Sequence, residues 1–268
     1  MVDASSSRGA AVVAAGAMSS LSSRGLKASA YEGTASRERA LEAGGRPLIS
    51  LAVAQNALMD DLLLPRVEAA AARGSRCVRY ASSWLGLPEL RANVARLYNA
   101  QILRSGNCVL ADEVAVTAGA TSAIDALLFA VLDRGDAVLT PAPYYGSYAR
   151  DVEARAECVL VPFASDGGVP TVEALEEFFQ WREPRPKALL ISSPHNPCGT
   201  VLGAQALRDV VSWTRLRGVH LVVDEVHAGA GRGRDVGQLQ TAPLSVVSRS
   251  FRLMMFRRAI ISLSDLEA

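Results

Sequence analysis

Hydrophobic residues follow two alternating spacings along this chain from Pro47 onward. Stretches with apolar residues at helical spacing separate short continuous apolar runs, which are typical of buried strands. The helical spacing predicts helices over 89–103, 121–132, 145–155, 172–181 and 204–217. The continuous runs predict strands over 113–117, 137–140, 158–162, 187–192 and 219–223.

Strands that alternate with helices in this way indicate βαβ units, which build a mostly parallel sheet covered by helices on both faces. We therefore expect an α/β fold. Thr171 precedes one of the predicted helices, and we expect its side chain to cap the N-terminus of that helix. Residues 1–45 lack sustained periodicity, which predicts a disordered or flexible N-terminal extension.

The composition argues against several classes of function. Lys and Arg number 28 against 27 Asp and Glu, so the net charge of +1 gives no reason to expect binding to nucleic acid or to a membrane surface. No apolar run approaches the ~20 residues that cross a bilayer. The four cysteines are far apart, which predicts reduced thiols, no metal site and a cytoplasmic location. The Ala- and Ser-rich residues 1–30 leave an organellar transit peptide as the alternative.

Three loops that directly follow predicted strands carry unusual residues. In mostly parallel sheets, ligands bind beside such loops, at the carboxyl ends of the strands. The first loop, 117–123, has small residues and opens a helix, whose N-terminal N–H groups can bind a phosphate. The second loop, 193–200, holds Asn196 between two prolines in a stiff turn. The third, 224–227, begins with Asp224 at the end of a buried strand.

Each loop also has a plain structural interpretation. Small polar residues often serve only to cap a helix, and an Asn-Pro pair can be an ordinary turn. Asp224 is harder to explain in this way, because burial of a carboxylate is costly without a cationic partner. The nitrogen of a pyridinium ring is such a partner. Asp224 and His227 could instead suggest a metal site, but no third ligand follows at a usual spacing.

In this order, the three loops resemble those of the class I/II aminotransferase family, whose members use pyridoxal 5'-phosphate (PLP). The likeness covers residues 46–229 and rests on the motifs TAGATSA, SPHNPCGT and DEVHAG. Within the family, the chain is most similar to the 1-aminocyclopropane-1-carboxylate (ACC) synthases. The resemblance implies the large domain of fold type I, with its sheet sandwiched by helices, over residues 46–245. It leaves 246–268 as a divergent C-terminal tail.

The resemblance also implies roles for individual residues. Ala120 and Thr121 would bind the phosphate of PLP through backbone N–H groups and the threonine hydroxyl. Tyr145 would stack on the pyridine ring, and Asn196 would hydrogen-bond the ring hydroxyl. Asp224 would pair with the ring nitrogen and keep it protonated, which lets the ring withdraw electrons from the substrate. Asp224 and Tyr145 are therefore the expected catalytic residues.

Three positions depart from the ACC synthase pattern. Gln55 stands where a substrate-side glutamate is expected, and Trp84 replaces a tyrosine that reaches the partner subunit's cofactor. His227 replaces a tyrosine that helps to hold the ring hydroxyl, although a histidine can still donate a hydrogen bond there. His227 and the neighbouring motif around His195 are reminiscent of the carbon–sulfur lyase branch; His195 itself is expected to be a turn residue.

A larger departure concerns the Schiff-base lysine that the family places well after the aspartate. The only lysines here are Lys27 and Lys187, and the later segment 262–265 resembles the family's lysine segment without its lysine. We therefore expect a chain that is truncated before this lysine, lacks the small C-terminal domain, and is inactive as it stands.

The function implied by the resemblance is that of a PLP-dependent aminotransferase or ACC synthase-like enzyme, which acts on an amino acid joined covalently to the cofactor. Transamination, ring closure and β-elimination all remain open as its reaction. A full-length protein would be a homodimer with a small-molecule amino-acid substrate and with no nucleic-acid or membrane partner. The alternatives are a non-catalytic PLP-binding pseudoenzyme, a heterodimer partner of a full-length subunit, and a carbon–sulfur lyase.

Overall fold

The computed structural model divides the chain into two compact units, residues 1–81 and residues 82–268. The residues that it describes are 21–29, 41, 44–45, 57–72, 80, 82–100, 109–181, 183–228, 250–255 and 259–262. In the first unit these include helix α1 (Ser23–Ser29), a 3₁₀ turn (Ala57–Met59) and helix α2 (Asp60–Ala72). Helix α1 lies where the sequence predicts no regular structure. The rest of the predicted extension lies mostly outside the described residues and stays a prediction.

The second unit contains a sheet of seven strands within the described part of the chain. Its helices are α3 (Pro88–Tyr98), α4 (Ala120–Val131), α5 (Tyr148–Glu153), α6 (Val172–Trp181) and α7 (Ala204–Arg217). Its strands are β1 (Val114–Val116), β2 (Ala137–Ala142), β3 (Val159–Ala164), β4 (Pro186–Ser192), β5 (His220–Asp224), β6 (Ser250–Met255) and β7 (Ala259–Ser262). Every strand and helix predicted from the sequence in this unit is present, with small shifts of its ends.

The strands lie in the order β1-β7-β6-β5-β4-β2-β3. The neighbours from β6 through β5, β4 and β2 to β3 are parallel, whereas β7 runs antiparallel to both β1 and β6. The sheet is therefore mostly parallel, and the α/β fold predicted from the sequence is confirmed.

Part of the segment 246–268, predicted from the sequence as a divergent tail, belongs to the sheet. Two segments of this predicted tail, β6 and β7, are strands of the sheet, so the folded unit continues at least to Ser262. The apolar runs of both segments are short, and Arg252, Arg257 and Arg258 interrupt the apolar pattern. The sequence alone therefore did not indicate strands there.

Two hydrophobic clusters lie on the two faces of the sheet. One cluster contains residues of α4 and α5 together with Val138, Leu190 and Val222, and we call this side the α4–α5 face. The other contains residues of α6 and α7 together with Leu139, Leu189, Ile191 and Val223. Because side chains alternate along a strand, the residues two positions after Val138, Leu190 and Val222 point to the α4–α5 face. Those residues are Thr140, Ser192 and Asp224.

The helix ends follow local rules that the sequence displays. The N–H group of Ala174 donates to Oγ1 of Thr171 at 3.3 Å, which confirms Thr171 as the N-terminal cap of α6. Helix α7 ends at Gly218, whose φ of 66° lies in the left-handed region that favours glycine. Helix α5 is shorter than predicted, because residues 144–147 form a turn before it begins.

None of the helices that the structure describes is long and apolar enough to cross a membrane. The cytoplasmic location stays a prediction from the sequence.

Substitution Gly218→Ala should lower the free energy of unfolding by about 1 kcal/mol, because a Cβ atom disfavours the left-handed conformation. The matched control is Gly203→Ser at the other end of α7, where φ is −67° and no atom lies within 4 Å of the place that a Cβ atom would take. Serine is a preferred N-cap residue, so this variant should keep or slightly raise the stability. Urea denaturation of both variants tests the prediction, and equal losses would contradict it.

Candidate active site

The three loops singled out in the sequence follow the carboxyl ends of β1, β4 and β5, which lie at the same edge of the sheet. Asp224 ends β5 and is only 5% exposed. Its Oδ2 atom accepts a hydrogen bond of 2.7 Å from the hydroxyl of Tyr148, and its Oδ1 atom accepts one of 3.0 Å from the N–H group of Val226. A carboxylate has about four acceptor positions, so Asp224 can still accept a hydrogen bond from a further donor.

The loop 193–200 is fastened directly beside Asp224. Ser192 is the register partner of Asp224 on the neighbouring strand, and the N–H group of Ser193 donates to the carbonyl oxygen of Asp224 at 2.9 Å. The N–H group of Asn196 donates to Oγ of Ser192 at 3.2 Å. The fold therefore brings Asn196 to the same edge of the sheet as Asp224.

His195 is buried inside this loop and closes its turn. Its N–H group donates to the carbonyl oxygen of Thr200 at 2.7 Å, and its own carbonyl oxygen accepts from the N–H group of Gly199 at 2.7 Å. The ring packs against Gly168, where a Cβ atom would overlap it. Burial lowers the pKa of His195. These contacts support the sequence interpretation of His195 as a turn residue.

Tyr145 lies next to the hydrogen-bonding partner of Asp224. Its ring meets that of Tyr148 edge to face, with the ring centroids 5.5 Å apart. Tyr145 is 38% exposed, whereas Tyr148 is 1% exposed. One tyrosine is thus available to a ligand, and the other holds the buried carboxyl group.

The loop 117–123 leads into the N-terminus of α4. Gly119 has φ 93° and ψ 168°, a backbone conformation that is nearly restricted to glycine, and the space where its Cβ would lie is open. Ala120 and Thr121 follow in the first turn, where backbone N–H groups have no acceptor within the helix. This arrangement suits an anion, because the helix N-terminus also carries a partial positive charge.

The structure describes two further residues singled out in the sequence, His227 and Trp84. His227 is half-buried, and its charge acts to lower the pKa of Asp224. The side chain of Trp84 is fully exposed. Gln55 lies outside the described residues. Among the residues that the structure describes, no three His, Cys, Asp or Glu side chains are grouped as metal ligands.

Sequence reasoning missed two residues of this site, Tyr148 and Asp151. Asp151 is 3% exposed, and its Oδ2 atom accepts a hydrogen bond of 3.2 Å from Oγ1 of Thr121. The signal in the sequence that could have indicated Tyr148 and Asp151 is their spacing from Tyr145. Residues 145, 148 and 151 recur at every third position and therefore share one side of the chain as it enters α5.

Burial shifts the two buried acids of the site, Asp151 and Asp224, towards their neutral forms. Burial raises the pKa of Asp224, and the hydrogen bonds from Tyr148 and Val226 only partly oppose this effect. Burial also raises the pKa of Asp151. The pKa of Tyr148 is raised well above its usual value, first by burial and then by the charge of Asp224. A cation placed against Asp224 would reverse the effect of its burial, so this position fits a protonated ring nitrogen.

Comparison with known proteins gives a consistent result. Residues 46–254 match the family described as aminotransferase class I and II. The chain is 34% identical over 201 residues to 1-aminocyclopropane-1-carboxylate synthase 1 of Oryza sativa subsp. indica; the match covers 68% of this chain and 41% of that protein. The chain thus spans about two fifths of the length of this curated relative.

Solved structures show the same similarity in the fold. An aspartate aminotransferase mutant of Thermus thermophilus superposes with a TM-score of 0.67 at 26% identity, covering 90% of this chain and 64% of that one. The aspartate aminotransferase of Rhizobium meliloti, at 24% identity, has a TM-score of 0.71 and covers 90% of this chain and 62% of that one. The latter shows a common fold only.

The raised pKa of Asp224 should make the free chain less stable as the pH rises. Between the unfolded pKa near 3.8 and the raised folded value, the folded state binds more protons than the unfolded state, so its stability falls with increasing pH. Asp224→Asn removes this contribution. As the pH rises through this window, we expect the free energy of unfolding of Asp224→Asn to rise relative to that of the wild type. Above the folded pKa of Asp224, the difference between the two proteins should no longer change with pH.

Denaturation of both proteins across this pH range measures the effect. The companion variant Tyr148→Phe removes the hydrogen bond that lowers the pKa of Asp224, and so it should extend the window to higher pH. Parallel pH curves for the wild type and Asp224→Asn would contradict the prediction.

Proposed function

This chain belongs to the class I and II aminotransferase family, and we propose that its α4–α5 face binds the pyridoxal 5'-phosphate on which enzymes of this family depend. The proposal rests on one observation above all. Asp224 is buried at the end of β5 with acceptor capacity to spare, and the free N-terminus of α4 belongs to the same face. PLP carries a phosphate at one position and a ring nitrogen that can be protonated at another, so its charges suit this pair of sites.

In this proposal each residue has one task. Ala120 and Thr121 orient the phosphate through their N–H groups and the threonine hydroxyl. Tyr145 covers a face of the ring, and Asn196 and His227 face the ring hydroxyl.

Asp224 keeps the proton on the ring nitrogen, where its negative charge stabilises the cation that it contacts. PLP, when bound, supplies the capacity to withdraw electrons from an amino acid. Tyr148 orients the carboxylate of Asp224 by donating to Oδ2.

We propose that the whole protein is an ACC synthase-like or aminotransferase-type enzyme acting on an amino acid, and that it forms a homodimer. Its relatives support the class of substrate: the rice protein is named an ACC synthase and the Thermus protein an aspartate aminotransferase. His227 keeps a carbon–sulfur lyase as the alternative reaction, because it differs from the ACC synthase pattern at the ring hydroxyl.

A second proposal concerns the 268 residues on their own. Their lysines are Lys27 and Lys187, and Lys187 is exposed at the start of β4, whereas Asp224 lies at the opposite, carboxyl end of the parallel neighbour β5. That amine is therefore remote from the site. We expect these residues to bind PLP without a covalent link, as a non-catalytic binding protein or a heterodimer partner does. Borohydride reduction followed by peptide mass spectrometry tests this: a specific PLP adduct that depends on Asp224 would contradict it.

Binding of pyridoxamine 5'-phosphate tests the main proposal, because this form lacks the aldehyde and does not react with surface lysines. The wild type should bind it, and Asp224→Asn should weaken binding by about tenfold to a hundredfold, the value of a hydrogen bond to a charged group. The change can be followed by intrinsic tryptophan fluorescence or equilibrium dialysis.

The matched control is Asp209→Asn, an exposed aspartate on α7 that contacts Gln205 on the other side of the sheet. This variant should bind like the wild type. The proposal fails if the wild type does not bind, or if both variants bind with wild-type affinity.

A further inference from the structure

Asp151 is a buried carboxyl group whose position has no part in the function proposed so far. Its side chain is 1% exposed, and it lies in α5 three residues after Tyr148. Four polar groups act on it: Thr121 from α4, Arg150 and Tyr148 from its own helix, and Asp224 from β5. It accepts a hydrogen bond of 3.2 Å from Thr121, the residue expected to hold the phosphate.

The hydroxyl group of Thr121 cannot serve both of its neighbours at once. A hydroxyl has a single hydrogen to donate, and an ionised carboxylate can only accept. A phosphate dianion likewise only accepts. While Asp151 is ionised, it therefore takes the hydrogen of Thr121 and leaves none for a phosphate.

Protonation of Asp151 removes this conflict. The carboxylic acid donates its O–H to Oγ1 of Thr121, and Thr121 is then free to donate its own hydrogen to the phosphate. The two hydrogen bonds run in one direction, from Asp151 through Thr121 to the anion.

Arg150 is the group that opposes this arrangement. Its Nη2 atom lies 3.4 Å from Oδ1 of Asp151, and an ion pair there would keep the carboxylate charged. The Arg150 side chain is 45% exposed, so water screens the attraction. Burial raises the pKa of Asp151 despite Arg150 and Thr121, and the charge of Asp224 adds to the increase. A phosphate nearby would add a second negative charge in the same direction.

We propose that Asp151 takes up one proton when a phosphate monoester binds at the N-terminus of α4, so that Thr121 can donate its hydroxyl hydrogen to the phosphate. This inference rests on the proposed PLP site and adds a positioning residue to it. The proton comes from the solvent, enters on binding and leaves on release. Binding of the cofactor is thereby linked to pH through a residue that does not touch the cofactor.

Calorimetric titration with pyridoxamine 5'-phosphate, in buffers of different ionisation enthalpy, measures the protons exchanged on binding across the pH range. Proton uptake makes affinity fall as pH rises, by as much as about tenfold per pH unit for one proton. The wild type should show this contribution, and Asp151→Asn should lack it. The titration of the ligand itself is common to both proteins and cancels in the comparison.

The asparagine amide can also donate to Thr121, so Asp151→Asn should bind at least as tightly as the wild type at high pH. Thr121→Val should lose both the tight binding and the proton uptake linked to Asp151. Asp125→Asn is the matched control, because Asp125 lies on α4 but pairs with Arg155, and this variant should follow the wild type.

Pyridoxamine without its phosphate gives a test that needs no variant. The wild type should take up more protons with pyridoxamine 5'-phosphate than with pyridoxamine, beyond what the phosphate group itself exchanges. Equal proton exchange by the wild type and Asp151→Asn, with binding intact, would overturn the role of Asp151 alone. A wild type that binds no pyridoxamine 5'-phosphate would instead overturn the proposed function, and this inference with it.

Discussion

The hydrogen bond between Tyr148 and Asp224 is the contact on which the site depends. It spans from α5 to the end of β5 and keeps a carboxyl group in place where water is excluded. A neutral hydroxyl can hold a buried carboxylate but cannot balance its charge, so the burial of this carboxylate still costs free energy in the folded chain. A cation against Asp224, as in the proposed function, would balance this charge.

The layout of the sheet explains why the buried carboxyl group of Asp224 lies at one edge of the sheet. Strands β2 and β4 are neighbours, but the helices that follow them cover opposite faces, α5 on one and α7 on the other. Connections that leave in opposite directions open a crevice at the carboxyl ends of such strands. The alternation of side chains then directs Ser192 and Asp224 to the face of α4 and α5.

The sequence was sufficient to predict the βαβ order and the loops at the ends of the strands, because buried strands and amphipathic helices leave strong periodic signals. It did not predict β6 and β7, whose short apolar runs are broken by arginines. Tyr148 and Asp151 were missed for a different reason. Their roles depend on partners on α4 and β5, and the spacing of residues 145, 148 and 151 alone does not identify those partners.

Strand β1 joins the sheet only through β7 among the strands that the structure describes, with Val114 opposite Ser262. The chain enters the turn before α4 directly from β1, so the pairing within the sheet that supports that turn comes from a strand made much later. Residues 114–116 contact Leu85 and α3, which precede them in the chain, but during synthesis they gain a partner strand only after residues 259–262 are made. Contacts that close such a long loop form slowly, which makes this edge the late step of folding and the one exposed to mispairing with other chains.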